Sequence, residues 1–132
     1  MSAGKSTYAS KAVLDCWLRG VGLTAPAAVY VGLFTVAPSD AGGGTEVVGN
    51  GYVRRPASFP APTDESPSTT SNAFDILFPV QTPAGYGEIV AVGVFDALSS
   101  GHLLYWNTCD PKTYAAGDQV KIAAGGLVMS ED

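Results

Sequence analysis

The chain has 132 residues, the size of one ordinary domain. Hydrophobic residues make up 46% and charged residues only 14%, where soluble domains carry roughly 25% charged. The chain can therefore bury a core and still leave apolar surface over. Seven Lys/Arg against twelve Asp/Glu give a net charge of −5, which excludes a nucleic-acid binder working by clustered basic charge and counterion release.

Two Cys and one His cannot furnish a tetrahedral zinc site by themselves. Sixteen Gly and nine Pro argue against a helical bundle and for a turn-rich β protein. Residues 1–11 (MSAGKSTYASK) hold no apolar core of a secretory signal. The longest apolar run, 25–34 (APAAVYVGLF), is about half of what a spanning helix needs. Membrane partners are thus not expected. Synthesis inside the cell is, with Cys16 and Cys109 as free thiols.

The first predicted element is a helix over 10–22, behind an N-terminal arm over 1–9. Val13, Leu14, Trp17, Leu18 and Val21 form an apolar stripe of helical period, with Lys11, Asp15 and Arg19 outside it. Ser6 or Ser10 can cap its start, and Gly20 or Gly22 its end. The arm has no apolar pattern of its own, so it should be mobile until a neighbouring subunit orders it.

From residue 27 the pattern is that of a β body running to 132. Residues 29–36 (VYVGLFTV) read as a buried strand, and 37–51 as a Gly-rich loop with a short ribbon at 46–48. Residues 52–59 (YVRRPASF) read as an edge strand because of Pro56. The Pro/Ser/Thr-rich stretch 60–72 reads as an exposed loop. Alternating Phe74, Ile76 and Phe78 give a further strand. Residues 88–96 (EIVAVGVFD) are apolar on both faces, as a central strand should be. A turn at 97–101 leads into a hairpin partner at 102–107, and 118–123 with 126–130 supply the last strands. The sum is a mainly β domain, an antiparallel β-sandwich or jelly-roll-like body with one N-terminal α-helix. There is no repeat, heptad seam or Gly-X-Y period, which excludes a fibre shaft.

Catalytic patterns are weak. Gly4-Lys5-Ser6-Thr7 resembles the end of a phosphate loop but lacks the earlier glycine and strand. His102 with Asp96, Ser99 and Ser100 lies within one hairpin, where Ser-Ser-Gly is ordinary turn chemistry rather than a triad. The acidic residues show no calcium-loop spacing. No catalytic, metal-binding or cofactor-binding residue is therefore assigned. Arg54 and Arg55 point to opposite faces of a strand, and a buried or interfacial pairing with a carboxylate suits such an Arg. Tyr105 and Trp106 must likewise face opposite sides.

Two blocks carry a family resemblance. One is VYVGLFT with Pro38-Ser39-Asp40, Gly49-Asn50-Gly51-Tyr52 and Arg54. The other is Gly93, Phe95-Asp96-Ala97, Gly101 and Leu103-Leu104, followed by AAGGL at 123–127. Their spacing resembles small virion proteins of tailed phages, often described as tail-fibre-like. The chain departs from them at Tyr86-Gly87, where Trp-Gly is usual, and in a Pro-richer 60–72 loop. The resemblance implies a non-enzymatic structural protein of the virion, made in the host cytoplasm. Short length and surplus apolar surface favour a capsid decoration (cement) protein that binds the major capsid protein and other copies of itself. The alternative is a tail or baseplate accessory, or a fibre-associated piece touching host glycans. Lys5, Tyr8, Trp17, Arg54 and Trp106 are the candidate interface residues.

Overall fold

The computed structural model describes residues 3–131. β1 (Ala3–Lys5) runs almost directly into α1 (Thr7–Arg19), and three long strands follow: β2 (Val29–Val36), β7 (Glu88–Phe95) and β8 (Leu103–Thr113). The short strands are β3 (Thr45–Glu46), β4 (Arg55–Ala57), β5 (Ser68–Ser71), β6 (Ile76–Leu77), β9 (Lys121–Ile122) and β10 (Val128–Glu131). The main sheet has the order β1-β8-β7-β2-β3, with β4 also paired to β2, and every pairing in it is antiparallel. β5 with β10 and β6 with β9 make two separate ribbons. The chain is thus mainly β, with antiparallel sheets and one N-terminal helix. Its second layer is a pair of ribbons rather than a full sheet, since Pro79 and the Gly125–Gly126 break leave only short runs that can pair.

β7 is central because it is apolar on both faces. Ile89, Val92 and Val94 join Val31 and Leu33 in the main core, against Ile76, Phe78, Val120 and Leu127 of the ribbon layer. Ala91 and Phe95 pack with Phe34 in a second cluster. The register of β7 on β8 shifts between Ile89 and Ala91 and again between Val94 and Phe95. Pro111 of β8 falls in the first irregularity, where its missing N–H interrupts no regular ladder. β8 consequently runs six residues beyond the 102–107 expected from alternation.

Gly32 and Gly93 are cross-strand partners, and their bare backbone makes a floor for bulky side chains. A Cβ on Gly32 would lie 2.8 Å from the Glu46 carboxylate and 2.9 Å from the Tyr52 hydroxyl; one on Gly93 would lie 2.8 Å from the Phe34 ring. Phe34 and Phe95 stack at 5.9 Å, and the Arg54 guanidinium sits 3.5 Å over the Phe95 ring. Arg54 Nε and Nη2 donate to the two Glu46 carboxylate oxygens at 2.8 Å each, the bidentate geometry a guanidinium favours. Its Nη1 donates to the Ala97 and Ser100 carbonyls at 2.9 and 2.8 Å. The Tyr52 hydroxyl donates to Glu46 at 2.6 Å and accepts the Leu33 N–H at 3.0 Å. Burial first, then that bond to a carboxylate, pushes the Tyr52 hydroxyl far above its ordinary pKa. One Arg thereby ties β3, the 52–54 segment and the β7–β8 turn to the sheet. The expected strand over 52–59 contracts to β4, because Tyr52 and Arg54 turn into this network.

The N-terminal residues depart from expectation. Residues 1–2 lie outside the described residues, but Ala3–Lys5 pairs with Tyr105–Asn107 of β8 instead of trailing as a mobile arm. Strand pairing uses backbone groups and needs no apolar pattern, which is why composition gave no warning. Ser6 is buried, its N–H donates to the Leu104 carbonyl at 2.8 Å, and its hydroxyl accepts the Ala9 N–H as the helix N-cap. The helix therefore spans Thr7–Arg19 rather than 10–22, and Gly20 ends it in the left-handed conformation (φ 70°).

The 60–72 stretch is a loop only in its first part. Residues 61–67 are exposed, whereas Ser68–Ser71 pairs with β10, its hydroxyl-rich sequence hiding a strand. Phe74 is exposed, while Ile76 and Phe78 are buried. Two buried amides hold the ribbon layer. Asn72 donates to the Phe74 and Ala123 carbonyls and accepts the Leu127 N–H. Gln81 accepts the Tyr86 N–H at 2.7 Å and donates to the Asp118 carbonyl at 3.2 Å.

Two stability outcomes follow from this packing. Val92→Asp puts an unpaired charge in the main core and should cost several kcal/mol, seen as loss of cooperative thermal unfolding or of soluble protein. Unchanged melting would refute the central placement of β7. Arg54→Met leaves the Glu46 carboxylate without its counter-ion, with only the Tyr52 hydroxyl donating to it, and should cost about 3–5 kcal/mol in urea unfolding; adding Glu46→Met should recover much of it.

Candidate functional site

The outward surface is set by how α1 meets the sheet. α1 lies beside β8, and none of its residues is fully buried. Ala9, Ala12, Val13 and Cys16 are its half-buried apolar residues. Tyr8, Ala9, Ala12 and Val13 line a cleft of about 480 Å³ that Leu23, Pro26, Leu104 and Tyr105 also line. The helix is turned by roughly a third of a revolution, at 100° per residue, from the orientation its apolar stripe implies. Only Val13 of that stripe turns inward. Leu14, Trp17, Leu18 and Val21 are exposed, Trp17 at 81%. The rotation is fixed at the N-terminus, where β1, the Ser6 cap and a 2.6 Å bond from the Thr7 N–H to the Asp40 carbonyl hold the first turn. Small residues on the inner side allow close approach to the sheet.

The five candidate interface residues have separate fates. Trp17 is open to solvent, and Tyr8 is about half exposed while its ring stacks on His102 at 3.8 Å with 2° between planes. Lys5 pairs with Glu131, which also accepts the Tyr105 hydroxyl at 2.8 Å; this closes the end of β10 onto the sheet. Burial, then the Glu131 carboxylate, pushes Tyr105 up to about 12. Trp106 is half-buried and donates its indole N–H to Asp40 at 2.9 Å. Arg54, only 8% exposed, is committed to Glu46 inside the fold and is not a surface residue. The structure therefore places Lys5 and Trp106 on the paired strands β1 and β8 but with different partners on opposite faces, places Tyr8 and Trp17 on α1, and puts Arg54 inside the fold.

Sequence reasoning missed the roles of Asp40, Asn72 and Gln81, which lie in loops without any periodic signal. Asp40 stands in the Pro38-Ser39-Asp40 motif, the one local signal that could have marked it.

The hairpin group His102–Asp96 is a turn lock. Asp96 Oδ1 accepts the His102 backbone N–H at 2.7 Å, and Oδ2 lies 3.2 Å from the ring Nδ1. Among the described residues no hydrogen bond joins the ring to Ser99 or Ser100, and the Ser100 carbonyl serves Arg54. No group of three His, Cys, Asp or Glu among the described residues is arranged to hold a metal ion. Both thiols are free and half-buried; burial, then Asp110, pushes Cys109 up, away from reactive thiolate.

Burial opposes the Asp96 charge, but the His102 backbone and ring outweigh it and hold the carboxyl below its ordinary range. A depressed folded-state pKa stabilises above the unfolded value and is lost as pH falls through the folded one. The melting temperature of Asp96→Asn should therefore lie below that of the wild type at neutral pH. The gap should close as pH drops below about 4, as a pH series of thermal melts can check.

A family model described as "Podophage GP4 fiber I protein gp80" matches residues 4–130, nearly the whole chain. No curated protein matches. The matched span takes in β1, the capped helix, the Arg54 network and both ribbons. A chain of this architecture, matched from its first strand to its last, belongs to the podophage GP4 fiber I protein gp80 family, a family of small, tail-fibre-like phage virion proteins.

Proposed function

We propose that the chain is a non-enzymatic structural component of a phage virion and serves as a globular piece of a tail fibre or of its attachment. The observation that carries this reading is the match of residues 4–130 to a fibre protein family. The sequence carries no shaft repeat, so its part in a fibre is that of a discrete folded unit, such as a tip or adaptor. The exposed apolar face of α1 supports assembly with neighbours, as a large uncovered apolar surface does.

Its partners on this reading are tail or baseplate proteins and other copies of itself, and its place is the virion, after synthesis in the host cytoplasm. A capsid decoration role, with the major capsid protein as partner, uses the same exposed face. The family description favours the fibre. Tagging the chain and locating its density in intact particles separates the two. Density confined to the tail vertex, in few copies, is the expected result; a regular array over the head would establish decoration instead.

A further inference from the structure

We infer that the outward face of α1 is a self-association surface, on which α1 of a second copy docks across a two-fold axis. The inference goes beyond the fibre reading and does not depend on it, since it concerns the isolated chain.

Leu14, Trp17 and Leu18 stand at i, i+3 and i+4 of α1 and are 58%, 81% and 77% exposed, and Val21, just past the Gly20 cap, is 45% exposed. Together they leave about 500 Å² of apolar surface uncovered on the outward side of α1 and at its C-terminal end, in the range of the largest patches that monomers carry. Two such faces bury about 1,000 Å², the lower bound of a specific interface. Trp17, the most exposed and largest of the four, is the natural anchor.

Charge selects a second copy as the occupant. Asp15 and Arg19 pair within the helix at 3.0 Å, so the helix presents little net charge beyond Lys11. The whole chain carries −5, and its acidic remainder would repel another acidic body brought face to face. An α1–α1 contact instead joins two faces of low net charge, and an isologous contact satisfies both apolar faces with one species. The face is also preorganised: β1 pairing, the Ser6 cap and the Tyr8–His102 stack fix the helix before any partner arrives.

Sedimentation velocity on the intact chain, over a concentration series reaching about 100 µM, tests this. The wild type should run as a dimer at the upper concentrations. Trp17→Glu and Leu18→Gln should each raise the dimer Kd by about 30-fold or more, the size of a hot-spot effect. Both side chains face solvent, so far-UV circular dichroism and dilute-sample melting should not change. Phe74→Glu, at an exposed position off α1, should associate like the wild type. A wild type that stays monomeric, a stoichiometry above two, or α1 variants that pair as tightly as the wild type would overturn the proposal.

Discussion

The Arg54–Glu46 pair, whose carboxylate lies over Gly32 of β2, is the constraint on which the rest of the sheet depends. Cross-strand Gly32 and Gly93 remove the side chains that would otherwise fill this part of the sheet. The Phe34 and Phe95 rings, Leu103, the Tyr52 hydroxyl and the Glu46 carboxylate occupy that space, with the Arg54 guanidinium over Phe95. A charge so nearly buried is tolerated because every strong acceptor around it is engaged: two carboxylate oxygens, two turn carbonyls and one aromatic face. The pair also closes the geometry, since its acceptors lie on β3 and on the turn between β7 and β8. Losing it would free both the second edge of β2 and the tip of the central hairpin.

On the opposite side, the ribbon layer completes the core with Ile76, Phe78, Val120 and Leu127, and two buried amides tie that layer together. Asn72 and Gln81 hold loop carbonyls and N–H groups that no strand ladder reaches. This is how a chain with nine prolines and sixteen glycines keeps a well-covered face without long second-layer strands. Phe78 and Leu33, almost fully enclosed, mark where the two layers meet.

Periodicity made part of this legible. β2 and β7 follow from their apolar runs, the β7–β8 hairpin from the turn chemistry between them, and Arg54 as a carboxylate-paired Arg from its expected place on a strand, although in the fold it stands just before β4. Illegible elements are those held by backbone bonding alone. β1 and β5 are polar segments whose pairing shows only once β8 and β10 lie beside them. The helix was legible as a helix but not in its orientation, because an apolar stripe reports which side wants cover and not which side receives it. Here the first turn is pinned by its cap and by β1, and the small side faces the sheet. The mismatch between stripe and packing sets the outward surface of the molecule. It leaves an apolar face turned outward on a chain of a tail-fibre-like phage protein family.

That face should be bare in the isolated chain at low concentration and covered in the assembled particle. Hydroxyl-radical footprinting with mass spectrometry, read at Trp17 and Leu18 in dilute protein and in intact virions, measures this directly. The account predicts heavy labelling of both residues in the isolated chain and strong protection in the particle, with half-buried Trp106 changing little. Equal labelling in the two states, or protection already present in the dilute monomer, would contradict it.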